Sequence, residues 1–560
     1  MACTVYASAQ NYGVRAEQMK GCYLDLQKLH LSLDDRRVLQ DSEAEELANY
    51  VGERYVDIIR QTENHLPRDY RIAHEEENAL LEQLRWLALR LVVYVVPVTA
   101  ATLFFVNCLA PIMQASKSFA ARFELDALAS VFITEVGLDS SVGLDKVSGV
   151  NFKKNLTEEV QVIFRKAIGG TYRFTNYRQL LITKGAEKLP RELCIPTIRD
   201  KVTLKALSKV LEDVFEDKCS TPQPQPIIQA LAMDLQGGKY DSFIKFDIRR
   251  FYATVDHQKL LRILRRKIRK KEILSLIQKA ISTPSAAMGA GIRKKRACGL
   301  PEGLPISNKL ANIYVEDIDA MFKADESIKY YRYVDDIIVL CHSADIDRVK
   351  KQMKAAVKRL SLELHPDSTD KSQSGRTRED PFEYLGYTFT QKGLAPRNQS
   401  VLSLEKWLDS HMRDRRNASN LYYWEWKLRL RITGCRITED GMSFNRFGWL
   451  FYFSQSTDAA IPHKLDALLV KLANRYGVDL PADLPTFSKS YYEIHYRNGE
   501  SPYIKLIDLT IDASEKRKVL SQLYGDDYAS ELTDEDIGLV FNRRMLNEAK
   551  RLERDIGAVS

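Results

Sequence analysis

The stretch YYRYVDDIIVL, residues 330–340, decides how the rest of the chain is read. Two apolar or aromatic runs flank an Asp-Asp pair, the pattern of a β-hairpin carrying Asp335 and Asp336 at its tip. Upstream, SFIKFDI (242–248) follows the Gly237-Gly238 turn and reads as another short strand, with Asp247 at its end. If the two strands are neighbours, their aspartates meet at one edge of a sheet. An isolated Asp-Asp pair is ordinarily a solvated turn. What surrounds this pair gives it chemical meaning.

Between the two segments, Ser307 or Asn308 can cap a helix whose apolar face runs through Leu310, Ile313, Ile318 and Phe322. Short strands alternating with helices over residues 151–395 predict an α+β architecture. Aspartates converging from separate strands suit two magnesium ions, which take carboxylate oxygens and bridge a hydroxyl, a phosphate and a leaving group. Such an arrangement is expected of an enzyme that transfers nucleotides.

Five motifs follow in order over this region. FDIRRFYATVDH (246–257), LPEGLPISNKLANIY (300–314), YVDD (333–336), LSLELHPDSTDK (360–371) and FEYLGYTF (382–389) resemble motifs A to E of the reverse-transcriptase palm. The resemblance implies a right-hand polymerase with fingers at 151–240, a palm at 241–395 and a thumb-like, mainly helical domain at 396–560. A helical N-terminal region precedes them at 1–150. It makes Asp247, Asp335 and Asp336 the catalytic metal ligands, for two Mg2+ ions or for Mn2+. Lys371 becomes a general acid or an electrostatic partner of the triphosphate. Tyr252, five residues after Asp247, falls where the family carries an aromatic gate against the ribose 2′-hydroxyl, so the substrate is expected to be a dNTP.

The fingers resemble the family through ITKGAEKLPRELCIPTIRDKV (182–202), in which Lys184, Lys188 and Arg191 are candidates to hold the triphosphate. Arginine can grip phosphate through two parallel hydrogen bonds. One position departs from the family: after the motif B proline stands Glu302, where glutamine is usual. A carboxylate ~6 Å from a phosphate charge costs roughly 3 kcal/mol at an effective dielectric of 20. Glu302 is therefore expected to pair with a base, Lys294 and Lys295 being near in sequence, and to loosen the seating of the base pair.

WEWKLRLRITGCRI (424–437) and RFGWLFYFSQSTDAAIPHKLDALL (446–469) resemble the region after the palm in bacterial defence-associated reverse transcriptases, the abortive-infection and unknown-group enzymes. Some members of that group synthesise DNA without a conventional template, prime on a protein side chain and assemble as homo-oligomers. The resemblance carries these traits as expectations, along with a role in antiphage defence. An RNA-dependent RNA polymerase is the first alternative, opposed by Tyr252 and by the valine of YVDD. A non-catalytic nucleic-acid-binding scaffold is the second, opposed by the full aspartate set.

Positive charge clusters where RNA or DNA would need it. KLLRILRRKIRKK (259–271) holds eight basic residues in thirteen, and RKKR (293–296) precedes motif B. RDRRNASNLYYWEWKLRLR (413–431) interleaves cations with Tyr422, Tyr423, Trp424 and Trp426, which are candidates to stack on bases or to pack in a helix core.

With 560 residues, 45% of them hydrophobic and 28% charged, the composition is that of a multidomain globular chain. The eight cysteines are scattered without a CxxC pair, which fits a reducing cytoplasm and excludes a zinc knuckle. Toward the N-terminus, DSEAEELANYVGERYVDIIRQ (41–61) reads as a helix opening at Asp41. The uncharged run at 91–113 is long enough to cross a bilayer, but Pro97, Asn107 and Pro111 interrupt it. It is read as a buried, proline-broken helix pair in a cytoplasmic protein.

Overall fold

The computed structural model describes residues 110–556 except 139, 183–189, 220–222, 288–294, 368–371, 498–499, 531 and 554–555, together with Tyr50 and Glu53 upstream. The chain divides into two units, 1–104 and 105–560. The helix expected from Asp41 lies outside the described residues except for Tyr50 and Glu53, both helical. The apolar run at 91–113 lies outside them as far as residue 109. Among the described residues no helix is long and apolar enough to cross a membrane.

In chain order the described strands are β1 (Tyr177–Ile182), β2 (Arg191–Ile195), β3 (Ser242–Asp247), β4 (Ser285–Ala286), β5 (Lys329–Tyr333), β6 (Asp336–Cys341) and β7 (Gln373–Arg376). They continue with β8 (Phe382–Tyr384), β9 (Tyr387–Thr390), β10 (Gly393–Pro396), β11 (Cys435–Thr438), β12 (Asn445–Phe447) and β13 (Lys505–Asp508). The central sheet has the order β5-β6-β3-β7, with every pair antiparallel. Three smaller sheets, β2-β1-β4, β10-β9-β8 and β12-β11-β13, surround it in sequence.

Strand alternation sends β3 and β6 into two different cores. Ile244 and Phe246 join Ile337 and Val339 in one, which is shared with the fingers helix Ile198–Phe215 and the helix Ile346–Arg359. Phe243, Ile338 and Leu340 join Phe382, Tyr384 and the thumb-like helices in the other. Because both faces are covered, the two strands are near-continuous apolar runs. That is why their charged ends stand out in the sequence.

The helices between residues 110 and 168 pack with the fingers. Phe119, Phe123 and Ile163 share a core with Val202 and Leu207, and Arg122 pairs with Asp213 at 2.9 Å. The helix predicted from Ser307 or Asn308 is present as two, Ser307–Tyr314 and Glu316–Lys323. Ser307 does not cap it from outside. It is the first helical residue, and its hydroxyl donates to the Pro301 carbonyl at 2.6 Å. After residue 396 helices dominate, as expected. The strand anticipated around 431–438 is confined to β11, because residues 431–433 complete the helix Leu421–Thr433.

Candidate active site

The β3–β6 ladder runs from Ser242 opposite Cys341 to Asp247 opposite Asp336. Directly opposed residues project to the same face, so the ladder ends on two carboxylates side by side. Like charges in this position weaken a ladder unless a cation lies between them. Asp335 sits beside them on the two-residue turn that joins β5 to β6. Its carbonyl accepts from the Ile248 N–H at 3.3 Å, which ties the turn to the end of β3.

Neighbouring elements hold this edge. The His365 N–H donates to the Asp247 carbonyl at 2.9 Å, and the His365 Nε2 lies 3.5 Å from Asp247 Oδ1. The Tyr384 hydroxyl, from β8, donates to the Asp336 carbonyl at 3.4 Å. Val334 has φ +55°, an outlier for a β-branched residue and a conformation that costs of order 1–3 kcal/mol. Arg332 holds it there. Its guanidinium donates to the Val334 carbonyl at 2.9 Å and grips both oxygens of Asp319 at 2.7 and 2.6 Å. The Arg332 side chain is 10% exposed, so this fork is largely withdrawn from water and strengthened accordingly.

Tyr252 reaches the same neighbourhood. Its hydroxyl donates to Asn308 Oδ1 at 2.9 Å, fixing the ring against the motif B helix. Its phenol pKa is driven up first by burial, then by the negative charge of Asp335, with Arg191 and Glu302 acting in opposite senses. Four sequence-predicted residues are thus close enough to share one field. Backbone bonds fix their spacing: the Leu300 N–H donates to the Tyr252 carbonyl at 2.6 Å, and the Gly299 N–H to the Val255 carbonyl at 2.8 Å.

Glu302 is ion-paired, as expected, but its partner is Arg191 of β2 rather than the sequence-near Lys295. The reason is tertiary. The Cys194 N–H donates to the Glu302 carbonyl at 2.7 Å, bringing the motif B loop onto the edge of β2. Lys184, Lys188, Lys294 and Lys371 lie outside the described residues.

A cleft of about 990 Å3 is lined by Arg191, Tyr333, Phe444, Arg446, His495 and Glu553 among others. Burial raises the Glu553 carboxyl to about 6. Of the aromatic stretch at 422–426, Tyr422 alone is open to solvent, at 53%. Trp424 is buried and stacks on His411, which in turn stacks on Trp407, while the Tyr423 hydroxyl donates to Glu548. Core packing therefore accounts for most of that stretch. The basic run 259–271 is partly structural as well: Arg266 pairs with Asp317, and Lys259 donates to the Arg359 carbonyl.

Among the described residues no group of three or more His, Cys, Asp or Glu side chains forms a ready metal cage. Magnesium does not require one, because it retains waters and is commonly held by one or two carboxylates plus substrate phosphates. The opposed carboxylates of Asp247 and Asp336, with Asp335 beside them, fit that mode of binding.

Residues 182–389 match the family model described as reverse transcriptase (RNA-dependent DNA polymerase). They form a reverse-transcriptase domain. Domains of this kind generally use divalent metal ions and bind nucleic acid, and this one gives the chain RNA-directed DNA polymerase character. Residues 1–113 match a second model, SMODS and SLOG-associating 2TM effector domain family 5. The protein YkfC of Escherichia coli K12 is 22% identical over 298 residues, 45% of this chain and 76% of that one. The group II intron-encoded protein LtrA of Lactococcus lactis is 28% identical over 170 residues, 29% of this chain and 28% of that one. The chain thus spans about three quarters of the first relative and little more than a quarter of the second. Two telomerase structures also align. That from Candida albicans has a TM-score of 0.34 and 12% identity over 74% of this chain and 66% of that one. That from Candida tropicalis has a TM-score of 0.32 and 15% identity over 40% and 55%.

The residues that sequence reasoning passed over are Arg332, Asp319, Asn308 and His365. Arg332 had a visible signal, a charged residue inside an otherwise aromatic strand directly before Tyr333. His365 and Asn308 stand within motifs D and B, but nothing local marks them as neighbours of Asp247 and Tyr252.

Proposed function

We propose that this chain polymerises dNTPs into DNA at Asp247, Asp335 and Asp336, and that the synthesis serves antiphage defence. The observation that carries the reading is the ladder end, where Asp247 opposes Asp336 with Asp335 on the adjoining turn. Magnesium ions held there would supply Lewis-acid activation of the attacking hydroxyl and charge neutralisation at the phosphate. Asp247 and Asp335 act as direct ligands in this reading, with Asp336 as the weaker contributor. Arg191 binds the triphosphate, and the Tyr252 ring, fixed by Asn308, excludes the ribose 2′-hydroxyl.

Glu302 supports weakly templated synthesis, since an ionised carboxylate lacks the donors an amide could offer a base pair. The defence role is supported by the effector-family match of residues 1–113. That family is named for two membrane passes, and the run at 91–113 is the one uncharged stretch of spanning length within the match. Residues 1–113 would then act as the effector of the polymerase.

The test is to incubate purified protein with each dNTP, with and without added RNA, and to sequence any product. Mg2+-dependent DNA synthesis is expected, lost in Asp335→Asn without a change in melting temperature. Incorporation at the wild-type level by that variant would sink the assignment.

A further inference from the structure

We propose that Glu302 is a resident anion on Arg191, so that an incoming nucleotide enters by exchanging its triphosphate for the Glu302 carboxylate. The inference rests on the reading of Arg191 as the triphosphate-binding cation. The Arg191 Nε donates directly to Glu302 Oε2. The two side chains are 27% and 28% exposed, so a ligand arriving through the cleft that Arg191 lines can reach the pair.

The pairing is built in, because the backbone sets it. The Cys194 N–H to Glu302 carbonyl bond anchors the residue that bears the carboxylate. Gly303, at φ +95°, lets the loop press so close that a Cβ there would lie 3.1 Å from the Cys194 carbonyl oxygen. Along β2 the next residue, Glu192, belongs to the opposite face, where it meets Arg296 at 3.3 Å. Among the described residues Arg191 is therefore paired with one carboxylate, at the position where the reverse-transcriptase motif B usually has a neutral amide. A triphosphate carries several negative charges against one on glutamate, and its oxygens match the guanidinium fork, so it can displace the carboxylate. The displaced Glu302 is then left beside phosphate, and this penalty weakens nucleotide binding. The device sets a threshold of dNTP concentration for synthesis.

The experiment compares the full chain with E302Q by calorimetric titration of tripolyphosphate, which needs no polymerisation, and by the KM for dNTP. E302Q should bind tripolyphosphate about tenfold more tightly, a change of ~1.4 kcal/mol, and lower the KM by a similar factor. In an Arg191→Ala background, adding E302Q should change tripolyphosphate affinity less than about twofold. Equal or weaker binding by E302Q than by the wild type overturns the exchange while leaving Arg191 as a phosphate ligand. Tight tripolyphosphate binding that survives Arg191→Ala overturns both readings of Arg191, and a circular dichroism melt of each variant separates these results from misfolding.

Discussion

At the end of the palm sheet carboxylates crowd together, whereas at the seam between β2 and the motif B loop a cation and an anion already satisfy each other. The first half of the site is acidic and is held in place from outside, by the Arg332–Asp319 fork and by bonds from His365 and Tyr384. The second half is balanced and holds itself. The difference teaches how the two halves respond to ligands. The carboxylate edge gains stability when a cation arrives, while the seam must give up a contact when an anion arrives.

The sharpest way to break this comparison is at Arg332. Arg332→Met should lower kcat by about a hundredfold, the scale expected when a reacting group is displaced by an ångström, with the dNTP KM within about twofold. It should also destabilise the protein by roughly 3 kcal/mol, because Asp319 is left largely buried without its charge partner. Replacing both residues, Arg332→Met with Asp319→Leu, should restore most of the melting temperature but not the turnover. Turnover that returns together with stability would reduce the fork to a structural pair and remove it from the site.

Tyr252 tests the region between the halves. Tyr252→Ala should raise the use of rNTPs relative to dNTPs by about tenfold or more, while Tyr252→Phe, which keeps the ring and loses the Asn308 bond, should change it by less than about threefold. Steady-state competition between matched dNTP and rNTP gives the ratio. An unchanged ratio in Tyr252→Ala would make the ring a core residue and reopen the RNA-polymerase alternative.

An effect on stability alone, with no change in turnover, is expected in the Trp407–His411–Trp424 stack. Burial lowers the His411 pKa from 6.5 to about 4. Between those values the unfolded chain binds a proton that the folded one does not, so His411 contributes stability above pH 6.5 that is lost as pH falls toward 4. A shift of this size corresponds to about 3 kcal/mol. His411→Phe should flatten that part of the stability–pH curve measured by urea denaturation. An identical slope in the variant would show that other groups dominate.

How much of this was legible in the sequence depends on distance along the chain. The catalytic strands could be read because each is a short apolar run ending in a charge, a pattern contained within a few residues. The hairpin and the strand of motif A appear where their residues predict them. The partner of Glu302 could not be read, since Arg191 is 111 residues away and the pairing follows from how β2 meets a loop. Sequence proximity favoured Lys295 for no better reason than adjacency. The aromatic stretch misled in a different way. Helical spacing turns Trp424 into the core and Tyr422 outward, yet both read alike as rings among cations. The same limit applies to Ser307, whose hydroxyl is used on the Pro301 carbonyl and not on the helix end.

The opposition of Asp247 to Asp336 also makes the palm an all-or-none device. Side chains alternate along a strand, so a slip of one residue between β3 and β6 would turn one carboxylate toward the core while the other kept its face. The apolar residues that feed the two cores would be exchanged at the same moment. No partially registered palm can then act as a slow enzyme: insertion or deletion of a single residue in either strand should abolish the fold and the activity together. Variation that tunes this polymerase is confined to the turn, the seam and the loops, where residues can change without moving the ladder.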